Sequence, residues 1–305
     1  MEYIMETKGL TKSFHDHRVV DNVDIHVKKG TIYGFVGPNG AGKSTILKML
    51  LNLVKPDKGE IYIFDSQVAP KNYEILKNIG SLIENPYFYD KLTARENLEL
   101  HCEYMGYHNK EQIANVLDMV NLKGIEGKAV KNFSLGMKQR LAIARAIVTR
   151  PQFLILDEPI NALDPEGIKE MRELFLTLKN QWNMTILISS HILSEVELIA
   201  DTIGVIREGR LLKEVPMSEI HRQQSEYIEM EVDDVKRAAC ILEEKLKLSK
   251  LQVMGDKIIR TYCLDKSGKE IAAALIEGGV GVESISKQVN SLEDYFFEIT
   301  KEDGE

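Results

Sequence analysis

A glycine-rich segment that ends in a lysine and a serine constrains this chain more than any other feature. It follows an apolar run, 32–36, that is typical of a buried strand, and it precedes a run, 46–51, that is typical of a helix. Glycines let successive backbone N–H groups turn toward one anion, and the start of a helix adds the positive end of its dipole. The sequence therefore predicts a loop that binds the phosphates of a nucleoside triphosphate. This loop consists of Gly37, Pro38, Asn39, Gly40, Ala41, Gly42, Lys43, Ser44 and Thr45.

The lysine and the serine of this loop have separate expected roles. Lys43 is expected to reach the β- and γ-phosphates of the nucleotide, and the hydroxyl of Ser44 is expected to hold Mg²⁺. A glycine-rich turn that binds no ligand is the alternative. The spacing of Lys43 and Ser44, with a strand before the loop and a helix after it, favours the phosphate loop.

Length and composition bound the class of protein. The 305 residues suffice for one large α/β domain and a smaller one, and 44% hydrophobic residues can bury a sizeable core. A net charge of −8 argues against bulk nucleic-acid binding, which needs a basic surface. Cys102, Cys240 and Cys263 lie far apart, which suits a reducing compartment and gives no metal-binding pattern. No apolar run approaches the ~18 residues of a membrane span, and residues 1–9 lack the apolar core of a signal peptide.

Two acidic residues directly follow a second buried strand, predicted at 153–156. In open α/β sheets, ligands bind outside the carboxyl ends of the strands. We expect Asp157 to hold Mg²⁺ through water, since Mg²⁺ keeps part of its hydration shell, and Glu158 to deprotonate the attacking water. His191 follows another predicted strand, 185–188, at the same edge, where it can hydrogen-bond a γ-phosphate. A solvated turn is the alternative for the two acids.

The remaining segments organise the chain around this edge. Residues 1–30 read as half-buried antiparallel strands, one of them at 23–27, and Phe14 among them either packs in the core or stacks on an adenine ring. Residues 84–150 are predicted to be mainly helical, with a capping box at Thr93 and a helix that begins after Ser134.

The C-terminal residues predict a separate small unit. The order of elements over 222–305 is β-α-β-β-α-β, with Ile228, Met230 and Val232 on one face of the first strand and the last strand at 280–285. A final short helix, 295–297, is predicted to be capped by Ser291. We therefore expect an N-terminal domain, 1–221, with a helical subdomain at about 84–150, and an accessory domain, 222–305. Ligand sensing, dimer contact and simple stabilisation remain open as roles for the accessory domain.

In this order, the elements of residues 1 to about 215 resemble the ATP-binding subunit of ATP-binding cassette (ABC) transporters. The phosphate loop matches the Walker A motif, 153–158 match the Walker B motif, Phe14 matches the adenine-stacking aromatic, and His191 matches the switch histidine. The D-loop, 161–164, ends at Asp164. The match to the signature motif runs through Phe133, Ser134, Leu135, Gly136 and Met137.

The resemblance implies the fold, the enzyme and its partners. The implied fold class is α/β, a P-loop NTPase core with an antiparallel β-subdomain and a helical subdomain, plus a small C-terminal α+β (ferredoxin-like) unit. The implied activity is ATP hydrolysis with ATP and Mg²⁺ as cofactors. Signature residues of one subunit would face the ATP of a second subunit in a head-to-tail dimer, either a homodimer or a pair with a paralogue. The dimer would act with a separate integral membrane permease at the cytoplasmic face of the cell membrane, without nucleic acid.

Two departures from the family pattern refine this expectation. Leu135 and Met137 replace a glycine and a glutamine of the usual signature, whereas Ser134 and Gly136 keep the expected phosphate contacts. Glu84 stands where the family usually has a glutamine that touches Mg²⁺ and the membrane subunit, and it is expected to bind the metal. This glutamate resembles the bacitracin and lantibiotic resistance or immunity branch, whose ATPases energise export or membrane removal of antimicrobial peptides.

Two other functions remain as alternatives. An importer ATPase with a regulatory C-terminal domain would be expected to keep glutamine at position 84. A soluble ABC ATPase that acts outside transport is less compatible with Glu84 and with the extra C-terminal unit, and the acidic balance disfavours nucleic acid. A catalytically dead binding module is disfavoured by the intact Lys43, Asp157, Glu158 and His191.

Overall fold

The structure of this protein is a computed structural model. It describes residues 2–69, 72–84, 86–125, 127–161, 163–223 and 226–289, together with 292, 294–296 and 299. These residues divide into two compact units, of which the first extends to residue 217 and the second begins at residue 218. No helix among the described residues combines the length and the apolar character needed to cross a membrane.

The elements are numbered in chain order. The strands of the described residues are β1 (Tyr3–Phe14), β2 (His17–Val23), β3 (His26–Lys28), β4 (Ile32–Val36), β5 (Lys58–Ile63), β6 (Ser66–Gln67), β7 (Ile79–Leu82), β8 (Phe153–Asp157), β9 (Thr185–Ser190), β10 (Thr202–Arg207), β11 (Arg210–Pro216), β12 (Glu226–Val232), β13 (Leu251–Met254), β14 (Ile258–Thr261) and β15 (Val282–Val289). The α-helices are α1 (Lys43–Leu50), α2 (Ala94–Met105), α3 (Lys110–Met119), α4 (Leu135–Ile147), α5 (Pro165–Trp182), α6 (Leu193–Glu197), α7 (Met217–Gln223), α8 (Val235–Glu244) and α9 (Gly268–Glu277).

A six-stranded sheet forms the centre of the first unit. Its order is β11-β10-β4-β9-β8-β7, and every neighbouring pair is parallel except β10 with β11. Every residue of β4, β8 and β9 is buried, as expected for a parallel sheet covered on both faces. Because these three strands run in one direction, the segments that follow them emerge at the same edge of the sheet.

A second, antiparallel sheet in this unit has the order β2-β1-β5-β6, with β3 also paired to β1. The expected single strand at 23–27 is wrong, because β2 ends at Val23 and β3 begins at His26. The two strands pair with different halves of β1, and the link between them contacts the middle of β1 through Thr7, whose amide donates to the Ile25 carbonyl oxygen (2.9 Å). In that link, the Ile25 amide donates to the Thr7 hydroxyl (2.8 Å).

The helical region follows β7, and its helix starts are set by side-chain caps. The predicted capping box of α2 is present, since the Glu96 amide donates to Thr93 Oγ1 (3.2 Å) and the Thr93 amide donates to Glu96 Oε2 (2.7 Å). Asn109 caps α3, and Ser134 caps α4, as the predicted start of that helix requires. The region packs against the core sheet through α4, whose buried face includes Leu141 and Ile147.

The second unit is a four-stranded antiparallel sheet with the order β13-β14-β12-β15 and with helices α8 and α9 after its first and third strands. This is the split β-α-β arrangement that the element order predicts. Ile228, Met230 and Val232 pack in one cluster with the apolar faces of both helices. The last strand was expected at 280–285 but begins later, because the Gly281 amide bonds to the Asp233 carboxylate (2.9 Å) before the strand starts. Ser291 and Phe297 of the expected final helix lie outside the described residues.

Candidate nucleotide-binding site

The glycine-rich loop leaves the core sheet at the end of β4 and runs directly into α1. Its backbone has no room for side chains at two points. A Cβ atom at Gly37 would clash with the carbonyl oxygen of Ile206. Gly42, which precedes the first turn of α1, has a φ of 102° and its Cβ would lie 2.7 Å from the carbonyl oxygen of Val19. The loop can therefore take this path only with glycine at both positions.

Lys43 is buried and its ammonium group lies inside the loop. Nζ donates to the carbonyl oxygens of Gly37 (2.7 Å) and Pro38 (3.2 Å). It also lies 3.5 Å from Oε1 of Glu158, which follows β8. The fold thus brings Lys43 close to Glu158, at the sheet edge where the sequence predicts both residues.

Asp157 ends β8 and is buried beside β9. Its Oδ1 accepts a hydrogen bond from the Ser189 hydroxyl (2.6 Å), and the Glu158 amide donates to that same hydroxyl oxygen (3.0 Å). Oδ2 of Asp157 has no hydrogen-bond partner in the part of the chain that the structure describes. The sequence interpretation did not include Ser189, although its place at the end of a buried strand next to β8 marks it as a neighbour.

Glu158 stands between a lysine and a histidine. Its Oε2 lies 2.9 Å from Nδ1 of His191, and its Oε1 lies 3.5 Å from the Lys43 ammonium group. Oε1 is buried and accepts no hydrogen bond from any described residue. A buried carboxylate oxygen without a donor is uncommon in folded proteins, and it can accept a hydrogen bond from a bound water.

Glu84 follows β7 and adopts a left-handed backbone conformation, with a φ of 61°. Its carboxylate forms an ion pair with Lys48 of α1, a partner that the sequence interpretation missed. Glu84 shares a cavity of about 390 Å³ with Asp157 and Glu158. A sequence signal for Lys48 does exist. Lys48 lies four residues after Ser44, and this spacing puts the two side chains on the same face of α1.

These oxygen atoms suit Mg²⁺. No cluster of three or more histidine, cysteine, aspartate or glutamate side chains that could cage a metal occurs among the described residues. Magnesium in nucleotide sites is held by one or two protein oxygens, the phosphates and water rather than by a complete protein cage. Asp157, with one oxygen unbonded, and Ser44, at the start of α1, could supply such a partial set of ligands.

The signature residues lie at the start of α4. Ser134 Oγ accepts a hydrogen bond from the Met137 amide (3.2 Å), and Leu135 is 57% exposed. Gln139 is buried, and its side-chain amide donates to the carbonyl oxygen of Pro159 (2.8 Å). It therefore joins α4 to the segment after Glu158.

The other two predicted residues lie at the borders of the site. Asp164 caps α5 by accepting a hydrogen bond from the Gly167 amide (3.0 Å). Phe14 ends β1 and is 43% exposed, with the Lys12 ammonium group 5.3 Å from the centre of its ring. Because the ring is this exposed, Phe14 is not a residue of the hydrophobic core.

Known proteins resemble this chain over nearly its whole length. Residues 20–161 match the family model described as ABC transporter. An uncharacterized ABC transporter ATP-binding protein of Bacillus subtilis (strain 168), YcbN, is 57% identical over 98% of this chain and 97% of its own length. The chain belongs to the ATP-binding proteins of ABC transporters. The resemblance inferred from the motifs is thus confirmed, and this ABC protein is an ATPase whose nucleotide is ATP.

Two relatives of this ABC ATPase are named as transport ATP-binding proteins, one for bacitracin and one for a lantibiotic. The bacitracin transport ATP-binding protein BcrA of Bacillus licheniformis is 46% identical over 98% of each chain. The lantibiotic transport ATP-binding protein SrtF of Streptococcus pyogenes is 44% identical over 69% of this chain and 90% of its own length.

Solved structures confirm the predicted fold class. The dimeric structure of a post-hydrolysis state of the ATP-binding cassette MJ0796, bound to ADP and Pi, is 26% identical. It covers 70% of this chain and 98% of that cassette, with a TM-score of 0.64. The related cassette is therefore a dimer that holds the products of ATP hydrolysis.

Proposed function

We propose that this ABC ATPase energises the export or membrane removal of an antimicrobial peptide of the bacitracin or lantibiotic type through a separate membrane permease. The observation that carries the proposal is the 46% identity to a bacitracin transport ATP-binding protein over 98% of the chain, which includes the C-terminal unit. Glu84, in place of the glutamine expected of an importer, supports the same branch. An importer subunit and a soluble ATPase outside transport are not favoured by these relatives.

The site supports hydrolysis of ATP by an activated water. Lys43 and the N–H groups of the loop would bind the phosphates, and Ser44, Asp157 and Glu84 would hold Mg²⁺, which when bound neutralises charge on the β- and γ-phosphates. Oε1 of Glu158 is the base, because it is buried and has no donor among the described residues. It takes the proton of a water as the new bond to phosphorus forms and the bond to the bridging oxygen breaks. His191 holds the other oxygen of Glu158 in place (2.9 Å).

The nucleotide is proposed to lie between two copies of the chain. Phe14 would stack on the adenine, since its ring is accessible. Ser134 and Gly136 of the second copy would bind the γ-phosphate with the N–H groups at the start of α4. The dimeric state of the related cassette MJ0796 supports this arrangement.

The permease is proposed to contact a groove next to Glu84. The groove has a volume of about 390 Å³ and is mainly apolar, and Tyr87 and Tyr104 at its rim are 86% and 74% exposed. Clustered exposed aromatic side chains mark protein interaction sites. Arg145 of α4 crosses the groove, because it donates to the Tyr87 carbonyl oxygen (2.8 Å) and lies over the ring of Phe88 (4.8 Å). Contact here would attach the ATPase to the cytoplasmic face of the membrane.

Growth inhibition of a strain that lacks the gene tests the transport function. Bacitracin, several lantibiotics and unrelated drugs are applied, and the gene is restored as wild type or as Glu158→Gln. We expect sensitivity to peptide antibiotics alone, and rescue by the wild type but not by Glu158→Gln, because transport needs hydrolysis. If the deletion strain resists every peptide as well as the wild type does, the protein does not act on antimicrobial peptides.

A further inference from the structure

An ion pair connects the helix of the phosphate loop to the loop after β7. The ammonium group of Lys48 contacts Oε1 of Glu84. Lys48 lies on α1, four residues beyond Ser44, so the two side chains occupy the same face of that helix. The Lys48 side chain is 30% exposed and the Glu84 side chain is 64% exposed, so the pair lies at the edge of the site.

The cavity next to this pair is acidic. Glu84, Asp157 and Glu158 all line it, and each has a different partner. Glu158 lies near Lys43 (3.5 Å) and His191, whereas the Asp157 carboxylate accepts a hydrogen bond only from the Ser189 hydroxyl among the described residues. Lys48 is therefore the one described cation that forms an ion pair with Glu84.

The charge of Glu84 needs such a partner. A glutamate, unlike a glutamine, adds a full negative charge at a place where a triphosphate also has to bind. A cation within contact distance offsets that repulsion, while a divalent metal ion offers the same carboxylate a stronger attraction. Lys48 and the metal ion would thus compete for the Glu84 carboxylate.

We propose that Lys48 is a positioning residue that holds the Glu84 carboxylate beside the metal-binding edge and competes with Mg²⁺ for it. This inference rests on the proposed function, because the metal ion is the one that accompanies ATP. Mg²⁺ that binds with ATP would compete with Lys48 for the Glu84 carboxylate. Lys48 thereby sets how much Mg²⁺ is needed to release the carboxylate.

Magnesium dependence of nucleotide binding tests the competition. The purified full-length chain binds a fluorescent, non-hydrolysable ATP analogue while Mg²⁺ is titrated. We expect Lys48→Met to lower the Mg²⁺ concentration at half-maximal binding by about two- to five-fold, the range that half-exposed ion pairs support. Lys48→Arg keeps the charge and should leave the wild-type value unchanged. In a Glu84→Gln background, Lys48→Met should have almost no effect, because no carboxylate remains to be released.

Controls separate the possible failures. Lys55→Met removes the charge of an exposed lysine that has no ion pair among the described residues, and it should leave the titration unchanged. Melting curves verify that every variant folds. Three outcomes would overturn the proposed competition between Lys48 and Mg²⁺ while leaving the nucleotide site intact. They are an equal shift by Lys48→Met in the wild-type and Glu84→Gln backgrounds, no shift in either background, and a higher Mg²⁺ requirement in Lys48→Met. Absence of nucleotide binding in the wild type would instead overturn the proposed ATP site together with this inference.

Discussion

At the scale of single residues, Glu158 combines two features that are unfavourable for stability, a left-handed backbone and a buried carboxylate oxygen without a donor among the described residues. Its backbone is left-handed, with a φ of 48°, and such conformations cost about 1–3 kcal/mol outside glycine. Its Oε1 is also buried without a hydrogen-bond donor among the described residues. We therefore propose that the carboxylate held in this way by His191 acts as the base of the hydrolysis.

Replacing this base should separate ATP binding from hydrolysis. Glu158→Gln keeps the size of the side chain but removes its ability to take a proton, so we expect hydrolysis to fall by roughly 10²–10⁴-fold with ATP binding retained. Phosphate release and equilibrium binding measure the two quantities. Glu173→Gln, at an exposed position of α5, is the matched control and should hydrolyse ATP normally. Wild-type turnover in Glu158→Gln would show that another group is the base.

The sequence predicts the residues of this site better than it predicts their contacts. Motif spacing and strand ends indicate that Lys43, Asp157, Glu158 and His191 lie at one sheet edge, because carboxyl ends of parallel strands converge there. The ion pair between Lys48 and Glu84 joins residues 36 apart in sequence, and no motif records such a contact. Side-chain partners depend on how elements pack, and that information is absent from local spacing.

At the scale of elements, local chemistry explains where helices begin but not where strands pair. Thr93 and Ser134 accept hydrogen bonds from their own helices, so adjacent residues suffice to predict those starts. The strand expected at 23–27 alternates apolar and polar residues, as a half-buried strand does. It divides in two because its halves pair with different parts of β1, a long-range choice.

Helix α2 also carries a histidine whose environment makes stability depend on pH. Burial and the nearby Arg145 lower the pKa of His101 to about 4, from an ordinary value of 6.5. As the pH falls from 6.5 to 4, the unfolded chain takes up a proton on His101 while the folded chain does not. The free energy of unfolding therefore decreases over this range, by no more than about 3 kcal/mol and by less where solvent reaches the ring.

Urea unfolding of the wild type and His101→Gln across this pH range measures the effect. The wild type should lose stability relative to His101→Gln as the pH falls, since the variant has no imidazole to protonate. His108→Gln, at an exposed position nearby, should follow the wild type. Parallel profiles for the wild type and His101→Gln would show that the folded protein protonates His101 as readily as the unfolded chain.

At the scale of the whole molecule, the first unit carries all of the described ATP-site residues. Within this unit, however, the signature residues form few contacts with other elements. Ser134 bonds only to its own helix among the described residues, and Leu135 is exposed beside it. The start of α4 therefore presents N–H groups that a phosphate from a second copy can bind. ATP can draw two copies together only by binding more tightly to the pair than to the single chain.

This dependence predicts an ATP-driven dimer that hydrolysis separates. Glu158→Gln with ATP and Mg²⁺ should shift the mass measured by light scattering from 34.6 kDa toward twice that value, because the unhydrolysed nucleotide keeps the pair closed. Lys43→Ala should remain at the single-chain mass under the same conditions, since it loses the cation that binds the β- and γ-phosphates. Ser134→Ala should weaken the dimer without weakening ATP binding to the single chain. A Glu158→Gln protein that binds ATP and stays at 34.6 kDa would place the signature residues outside a shared ATP site.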